Sequence, residues 1–397
     1  MIKKREKKKG QALPGERKES VREGHASLSQ WQLIRRRFTD HKLALISLNV
    51  LILLYLLAGF AGFFAPQPRD FKNLDYTYCP PQLPRFSFGE GFYVYDLERR
   101  KDPISLRQYY LRDSDRKIPL GFFVKGEPYR MLGLIPMERR FFGVDRKALA
   151  EAEGRVEVDP STDWPGFYFL GADRYGRDIF SRLLHGARIS LSIGIVGIAF
   201  TFFLGIVIGG ISGYFSGVLD TVIQRIIEIL NSFPQLPLWM AIATVMPRDW
   251  SALKVYFGIT VVLSLLNWTQ LARVVRGKIL SLREEEYCMA ARLLGAGHGR
   301  VLFRHLLPGF LSHIIVTLTL SVPVMILGET ALSFLGLGLR PPVVSWGVML
   351  QDCMNLQVVA NYPWLLMPVV LIIVTVLAFN FVGDGLRDAA DPYSDSK

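Results

Sequence analysis

Six stretches of this sequence each run for roughly twenty residues with little or no charge, and that leaves few folds open to it. They are Leu43–Ala65, Ile189–Ile211, Arg225–Val245, Tyr256–Ala272, Phe310–Phe334 (its start equally readable at Leu306) and Trp364–Val382. Half of the 397 residues are hydrophobic. A soluble chain of this length would divide them among separate cores. Here they are concentrated in uninterrupted runs. Inside a bilayer the backbone must bond to itself, so such runs become helices. The expectation is an all-α polytopic membrane protein with six transmembrane helices.

The net charge of +12 raises the question of nucleic acid, and its distribution answers it. Lys3, Lys4, Arg5, Lys7, Lys8, Lys9, Arg17, Lys18, Arg22, Arg35, Arg36, Arg37 and Lys42 all precede the first apolar run. With no aromatic or groove-reading element beside them, they read as a flank against anionic lipid that sets orientation. Residues 1–42 are therefore a basic cytoplasmic segment, helical from Ser29. The run 43–65 is transmembrane helix 1; it is too long, and too far from the start, for a signal peptide.

Residues 66–188 carry no spanning run and are assigned to an extracytoplasmic loop or cap. Their many basic residues do not oppose this, because long loops cross largely regardless of charge. Gly91–Tyr95 and Trp164–Leu170 have strand-like composition, which predicts a small β-containing cap. Cys79, Cys288 and Cys353 show neither metal-ligand spacing nor a disulfide framework. Cys79 and Cys353 would share the outer side, and whether they pair stays open.

The third run holds Arg225, Glu228, Pro234 and Pro237. The first two can pair at i,i+3, and the prolines should kink the helix. Two readings stand: this helix lines a translocation path, or the pair and kink serve packing. Glu329 in the fifth run is an acid near membrane depth, a site candidate by default, with structural pairing as the bland alternative. Arg225, Glu228, Pro234 and Glu329 are the candidate path residues.

Between the fourth and fifth runs lies a charged, glycine-broken stretch, Glu284–Pro308. Glu284–Leu294 reads as a short helix with acids in its first turn and an apolar stripe of Tyr287, Ala290, Ala291 and Leu294. Gly295, Gly297 and Gly299 then turn the chain. A second short helix, Arg300–Leu307, ends before Pro308. A plain solvated loop needs neither stripe nor corner, so the spacing predicts a docking knob. Met289-Ala290-Ala291, then Gly295, then Leu307-Pro308 resemble the EAA motif of ABC-importer permeases. Met289 stands where that motif has Glu, and Glu286 lies one turn earlier on the same face.

A second resemblance lies in Phe169–Leu191. From the residues, Asp173 is a candidate N-cap and Ile179–Leu184 an amphipathic helix at the outer interface, with a structural entry into the membrane as the leading bland reading. Gly171, Asp173, Gly176, Arg177, Asp178, Ser181, Arg182, Gly186, Arg188 and Ser190 resemble the segment before the second span of oligopeptide- and dipeptide-type permeases. Gly383–Pro392 resembles the end of the same family.

The resemblance implies a permease core over 189–392, cytoplasmic coupling helices within the loop 273–308, a short tail 393–397, and both termini inside a bacterial inner membrane. It implies that Glu286, Met289, Ala290, Ala291, Gly295, Leu307 and Pro308 dock on an ATPase. The partners implied are a second permease subunit, two ATP-binding subunits and an extracytoplasmic solute-binding protein. ATP and Mg would be bound by the partner ATPase, so no cofactor or metal, and no enzyme activity, is expected in this chain. Gly277-Lys278 lacks the earlier Gly and following hydroxyl of a phosphate loop. Two rivals are a carrier driven by an ion gradient, which needs ionisable groups deep in several spans, and an enzyme with its site in the outer loop, where acids such as Asp96 and Asp113 have no histidine beside them.

Overall fold

The computed structural model describes residues 30–104, 108–154, 164–247 and 249–390. The expected tail 393–397 and the basic residues from Lys3 to Arg22 lie outside them. In chain order the helices are α1 Gln30–Asp40, α2 Lys42–Gly59, α3 Ala61–Phe64, α4 Arg146–Ala152, α5 Ile179–Phe215, α6 Gly217–Ser232, α7 Gln235–Thr244, α8 Ala252–Leu282, α9 Glu286–Leu293, α10 His298–Phe334, α11 Trp346–Met349, α12 Leu356–Asn361 and α13 Met367–Ala390. Among the described residues, α2, α5, α8, α10 and α13 are each long and apolar enough to cross a membrane.

The expected third span is instead the pair α6 and α7, bent by 89°. Phe233 precedes a proline and is held extended (φ −85°, ψ 139°). Pro234 has no N–H with which to continue the helix. Pro237 falls in the first turn of α7, where a missing N–H costs little. One proline makes the break and the other is absorbed.

Of the two readings of Ile179–Leu184, an interfacial helix or a structural entry into the span, the structure agrees with the entry. That stretch is the first part of α5, whose 37 residues form one helix about 55 Å long at 1.5 Å per residue. Its N-cap is Asp178, not Asp173: the Asp178 carboxylate accepts from the N–H of Phe180 and of Ser181, the latter at 2.7 Å. The expected basic loop after the fourth span is helical too, since Arg273, Arg276 and Lys278 lie within α8.

Helices α5 and α8 approach closely because glycine allows it. A Cβ on Gly209 would lie 2.5 Å from the Ala272 carbonyl oxygen and 2.7 Å from its Cα. Around them lie α2, α10 and α13, with a core that includes Leu51, Leu183, Leu191, Ile326, Trp346 and Phe379. Between spans such packing stabilises by van der Waals contact rather than by removing apolar surface from water.

All-α is corrected at one end of the bundle, where a four-stranded antiparallel sheet stands in the order β1 Arg85–Ser87, β2 Gly91–Lys101, β3 Gln108–Met131 and β4 Ile135–Val144. Strand β3 pairs first with β2, from Lys101↔Gln108 to Phe92↔Leu120. It then pairs with β4, from Leu120↔Val144 to Met131↔Ile135. Gly91–Tyr95 is in the sheet, but Trp164–Leu170 is not a strand. That segment packs beneath the sheet, with Phe167 and Tyr168 buried.

The start of α5 and the sheet share this cap end. The far end of α5, the end of α8, the stretch 284–308, helix α1 and the end of α13 share the other, the hairpin end. The joins there are direct: Gly385 packs against Ala44 and Phe38, and His41 lies 3.9 Å from Asp388.

Candidate functional site

The hairpin is built from α9, a corner at Gly295, and the first turns of α10. Gly295 has φ +84°, a left-handed conformation that side chains other than glycine adopt only with strain. Gly297, at φ −67°, does not share it, and Gly299 lies inside the helix that follows. The chain turns at one glycine, not three.

The second arm does not stop at Pro308. From His298 it continues through a π-turn at Val301–Leu306 and a 3₁₀ turn at Leu307–Phe310 into the span. Pro308 sits at the start of the 3₁₀ turn, where its lack of an N–H is harmless. The stripe is corrected as well. Cys288 and Ala291 are the buried positions of α9, one turn apart, and Cys288 joins Val301, Leu306 and Phe310 in a core over the ends of α5 and α8. Of the expected stripe, Ala291 alone is buried; Tyr287, Ala290 and Leu294 are exposed.

The outward face is the more informative one. Leu293 and Leu294 are 89% and 88% exposed, and Tyr287, Met289 and Phe303 about half exposed. Glu286 lies in the first turn of α9, also exposed; Leu307 is half-buried and Pro308 exposed. A contiguous apolar patch on a polar loop is a contact surface. The knob is fastened to α5: Tyr214 Oη lies 2.9 Å from His298 Nδ1, and the Arg292 guanidinium sits 5.2 Å above the Tyr214 ring. Arg283 donates to Ser216 at the turn between α5 and α6.

An open cavity of about 970 Å³ lies at the bend between α6 and α7 and extends toward the hairpin end of the bundle, where the last turn of α13 lines it. Asn231, Phe233 and Gln235 line it from the bend, Asn267, Thr269 and Gln270 from α8, His313, Thr317 and Ser321 from α10, and Arg387 from α13. Gln235 donates to Asn267 at 3.2 Å, and Thr269 to Asn231 at 3.3 Å. The lining sets amides and hydroxyls, with His313 and Arg387, among apolar walls. The sequence did carry a signal for it: Asn267 with Gln270 at i,i+3, and Thr317 with Ser321 at i,i+4, place polar groups on one face of an otherwise apolar helix.

None of Arg225, Glu228, Pro234 and Glu329 lines this cavity. Arg225 and Glu228 pair at 2.7 Å, but both are exposed, and neither lines the cavity. Pro234 makes the bend, yet its neighbours Phe233 and Gln235 supply the wall. Glu329 is fully buried away from the cavity. It accepts from Ser190 at 3.1 Å, Ser333 at 2.8 Å and Ser345 at 2.7 Å. Each serine oxygen also accepts a backbone N–H: Trp346 on Ser190, Leu339 on Ser333 and Val348 on Ser345. Glu329 thus pins the 335–349 connection to α5. Its role here is structural, with every partner satisfied.

The second family-like motif is likewise a clasp. Asp173 accepts from the N–H of Tyr175 and of Arg177, and from Arg177 Nε at 2.6 Å; buried Arg182 comes within 3.6 Å. Arg174 pairs with Asp352 at 3.0 Å. Gly171 and Gly176 hold the tight turn on either side of Asp173. Arg188 caps the carbonyls of Ala58 and Gly59 at the end of α2, at 3.2 and 3.0 Å. Burial pushes Asp178 up to about 7, with the cap hydrogen bonds pulling the other way. Cys79 and Cys353 are both free thiols, Cys79 buried beneath the cap. Among the described residues no group of three or more His, Cys, Asp or Glu could hold a metal.

Comparison with known proteins places this geometry. Residues 205–394 match the family described as binding-protein-dependent transport system inner membrane component. Residues 29–81 match the N-terminal TM domain of oligopeptide transport permease C. The sheet lies between these two matches. The chain is 41% identical over 238 residues to the oligopeptide transport system permease protein OppC of Bacillus subtilis, covering 60% of this chain and 74% of that one. It is 38% identical over 249 residues to the dipeptide permease DppC of the same organism, covering 63% and 73%. It is also 38% identical over 243 residues to the glutathione permease GsiD of Pectobacterium atrosepticum, covering 61% and 78%. Shared identity at this level over most of each relative's length settles the family: the chain is a multi-pass membrane permease belonging to the binding-protein-dependent transport system inner membrane components, in their oligopeptide and dipeptide branch.

Proposed function

We propose that this chain is one of two membrane subunits of an ATP-driven importer that carries peptides or similar small solutes into a bacterial cell. The observation that carries this is the hairpin: an apolar, glycine-cornered knob at the ends of two long helices, with Leu293, Leu294 and Phe303 facing outward. The knob seats in a groove on one of two ATP-binding subunits, which supply ATP, Mg and the energy. Met289, Ala290 and Ala291 with Gly295, Leu307 and Pro308 form the seat's counterpart, and Glu286 stands in for the carboxylate missing at Met289. Closure of the ATPases moves the knob and tilts the spans between inward- and outward-open forms.

The hairpin end, with α1 and the end of α13, faces the cytoplasm. The cap end faces outward, where the sheet meets a separate solute-binding protein or gates its release. The amide-lined cavity forms half of the translocation path, completed by a second permease subunit. The amides and hydroxyls there, beside His313 and Arg387, suit peptide backbones whose side chains vary.

A photo-crosslinking residue at Leu294 in the assembled complex tests this reading. The expected product is an adduct with a nucleotide-hydrolysing subunit. Adducts formed only with proteins outside the cell, or none in an active complex, would overturn it.

A further inference from the structure

The β3–β4 arm descends the side of the first span. From top to bottom, Arg140 donates to the Ala65 carbonyl at 2.8 Å. Phe141 packs on Phe63 and Phe64, with ring centroids 5.8 and 5.6 Å away. The Tyr129 ring covers Gly62, where a Cβ would come within 2.5 Å of it. Leu132, at the tip, reaches Gly59. The tip therefore reaches the last residue of α2, at the cap-side end of the span.

At that level the arm presents its most apolar residues. Leu132, Leu134 and Ile135 are 55%, 83% and 52% exposed. One turn further along α2 lies exposed Leu56, on a helix whose apolar surface is made for lipid. Behind the tip stand exposed Arg130 and Arg139. A two-stranded arm alone is marginal in water, and three exposed aliphatics at its end worsen that. Beside a bilayer the same residues are stabilising, with the arginines at headgroup depth.

We propose that the β3–β4 arm is a lipid-inserting finger whose tip, Leu132–Ile135, enters the cap-side leaflet beside α2 and contacts phospholipid acyl chains. The finger anchors the cap at a fixed height and tilt over the bundle. This goes beyond the transport reading and needs only the chain's place in a membrane.

The test uses the full-length chain in lipid nanodiscs. Leu134→Cys carries an environment-sensitive fluorophore, with the unsubstituted protein correcting for labelling of Cys353. Ile104→Cys, at the opposite end of β3, is the control. Nitroxides placed on acyl chains should quench the Leu134 probe several-fold more than the Ile104 probe. Equal quenching at both positions overturns the proposal. So does quenching by headgroup nitroxides alone, or a Leu134 probe that is shielded only when the binding protein or second permease is added. Neither transport nor nucleotide enters the readout, so the result stands apart from the importer assignment.

Discussion

Arg276 grips Asp220 through two hydrogen bonds of 2.6 Å each, Nε to Oδ1 and Nη2 to Oδ2. Ser212 donates to the same carboxylate. The pair closes α6 onto α8 just inside the hairpin and joins both to α5. Bidentate pairs of this kind are geometrically demanding. Asp220→Ala or Arg276→Ala should each cost roughly 1–3 kcal/mol. The double variant should lose less than the sum, with a coupling of about 1 kcal/mol or more in a thermal-unfolding cycle. Strict additivity would show that the grip does not hold the helices.

The seam between α5 and α8 should tolerate no side chain at its closest point. Gly209→Val puts atoms where the Ala272 backbone lies and should destabilise by about 1–3 kcal/mol or more. Gly277→Ala, on the same helix pair but with open space around it, should be neutral or gain up to about 1 kcal/mol from helix propensity. Melting of the two variants in detergent distinguishes close packing from a general intolerance.

At the hairpin corner nothing lies within 4 Å of a Cβ placed on Gly295, so substitution there strains the backbone without a clash. Gly295→Val should leave the chain folded yet shift the angle of α9, with a local cost of about 1–2 kcal/mol. In a reconstituted complex ATP hydrolysis should persist while transport falls. Normal transport would sink the docking assignment.

The cap is separable by geometry. The Gln82 N–H donates to the Tyr168 carbonyl at 2.8 Å, and the Tyr168 N–H to the Gln82 side chain at 2.9 Å. The two ends of the insertion therefore meet, and residues 83–165 can be replaced by a short linker. Uptake should drop while co-purification of the ATPase subunits is unchanged. Loss of that association would argue against a cap role confined to the outer face.

Asp178 gives a pH signature of definite sign. Burial raises its carboxyl from the usual 3.8 to about 7. The folded state then binds more protons than the unfolded one between those values, so this group's contribution to stability falls as pH rises from about 4 to about 7 and is level above that. Asp178→Asn keeps a cap and cannot titrate. Its melting temperature relative to the parent should rise across that window; a constant difference would contradict the shift.

The long spans were legible because about twenty apolar residues in a row have one fate in a bilayer. So was a corner at Gly295, although the sequence could not tell it from Gly297 and Gly299, which take ordinary helical or extended backbone. Pro234 announced a kink but not a right angle; that depended on Phe233 being forced extended before it. Pro308 looked like a terminator, yet at the start of a 3₁₀ turn it is tolerated. Asp173 read as the cap, but its carboxylate is taken up by Tyr175, Arg177 and Arg182, and Asp178, directly before Ile179, caps α5 instead. Gly91–Tyr95 announced a strand, but the long β3 was hidden because its Arg112–Lys117 stretch is almost all charged. The cavity lining was missed by attending to charges inside the spans, whereas most of its polar groups are the amides and hydroxyls of Asn231, Gln235, Asn267, Thr269, Gln270, Thr317 and Ser321.

The unbroken rod α5 has a mechanical consequence. At one extremity it is locked to the cap through Ser181, whose hydroxyl accepts from the Gln67 N–H at 3.0 Å. At the other it is locked to the knob through Tyr214 and His298. With one unbroken helix between these attachments, a displacement of the knob and a displacement of the cap are carried by the same rod.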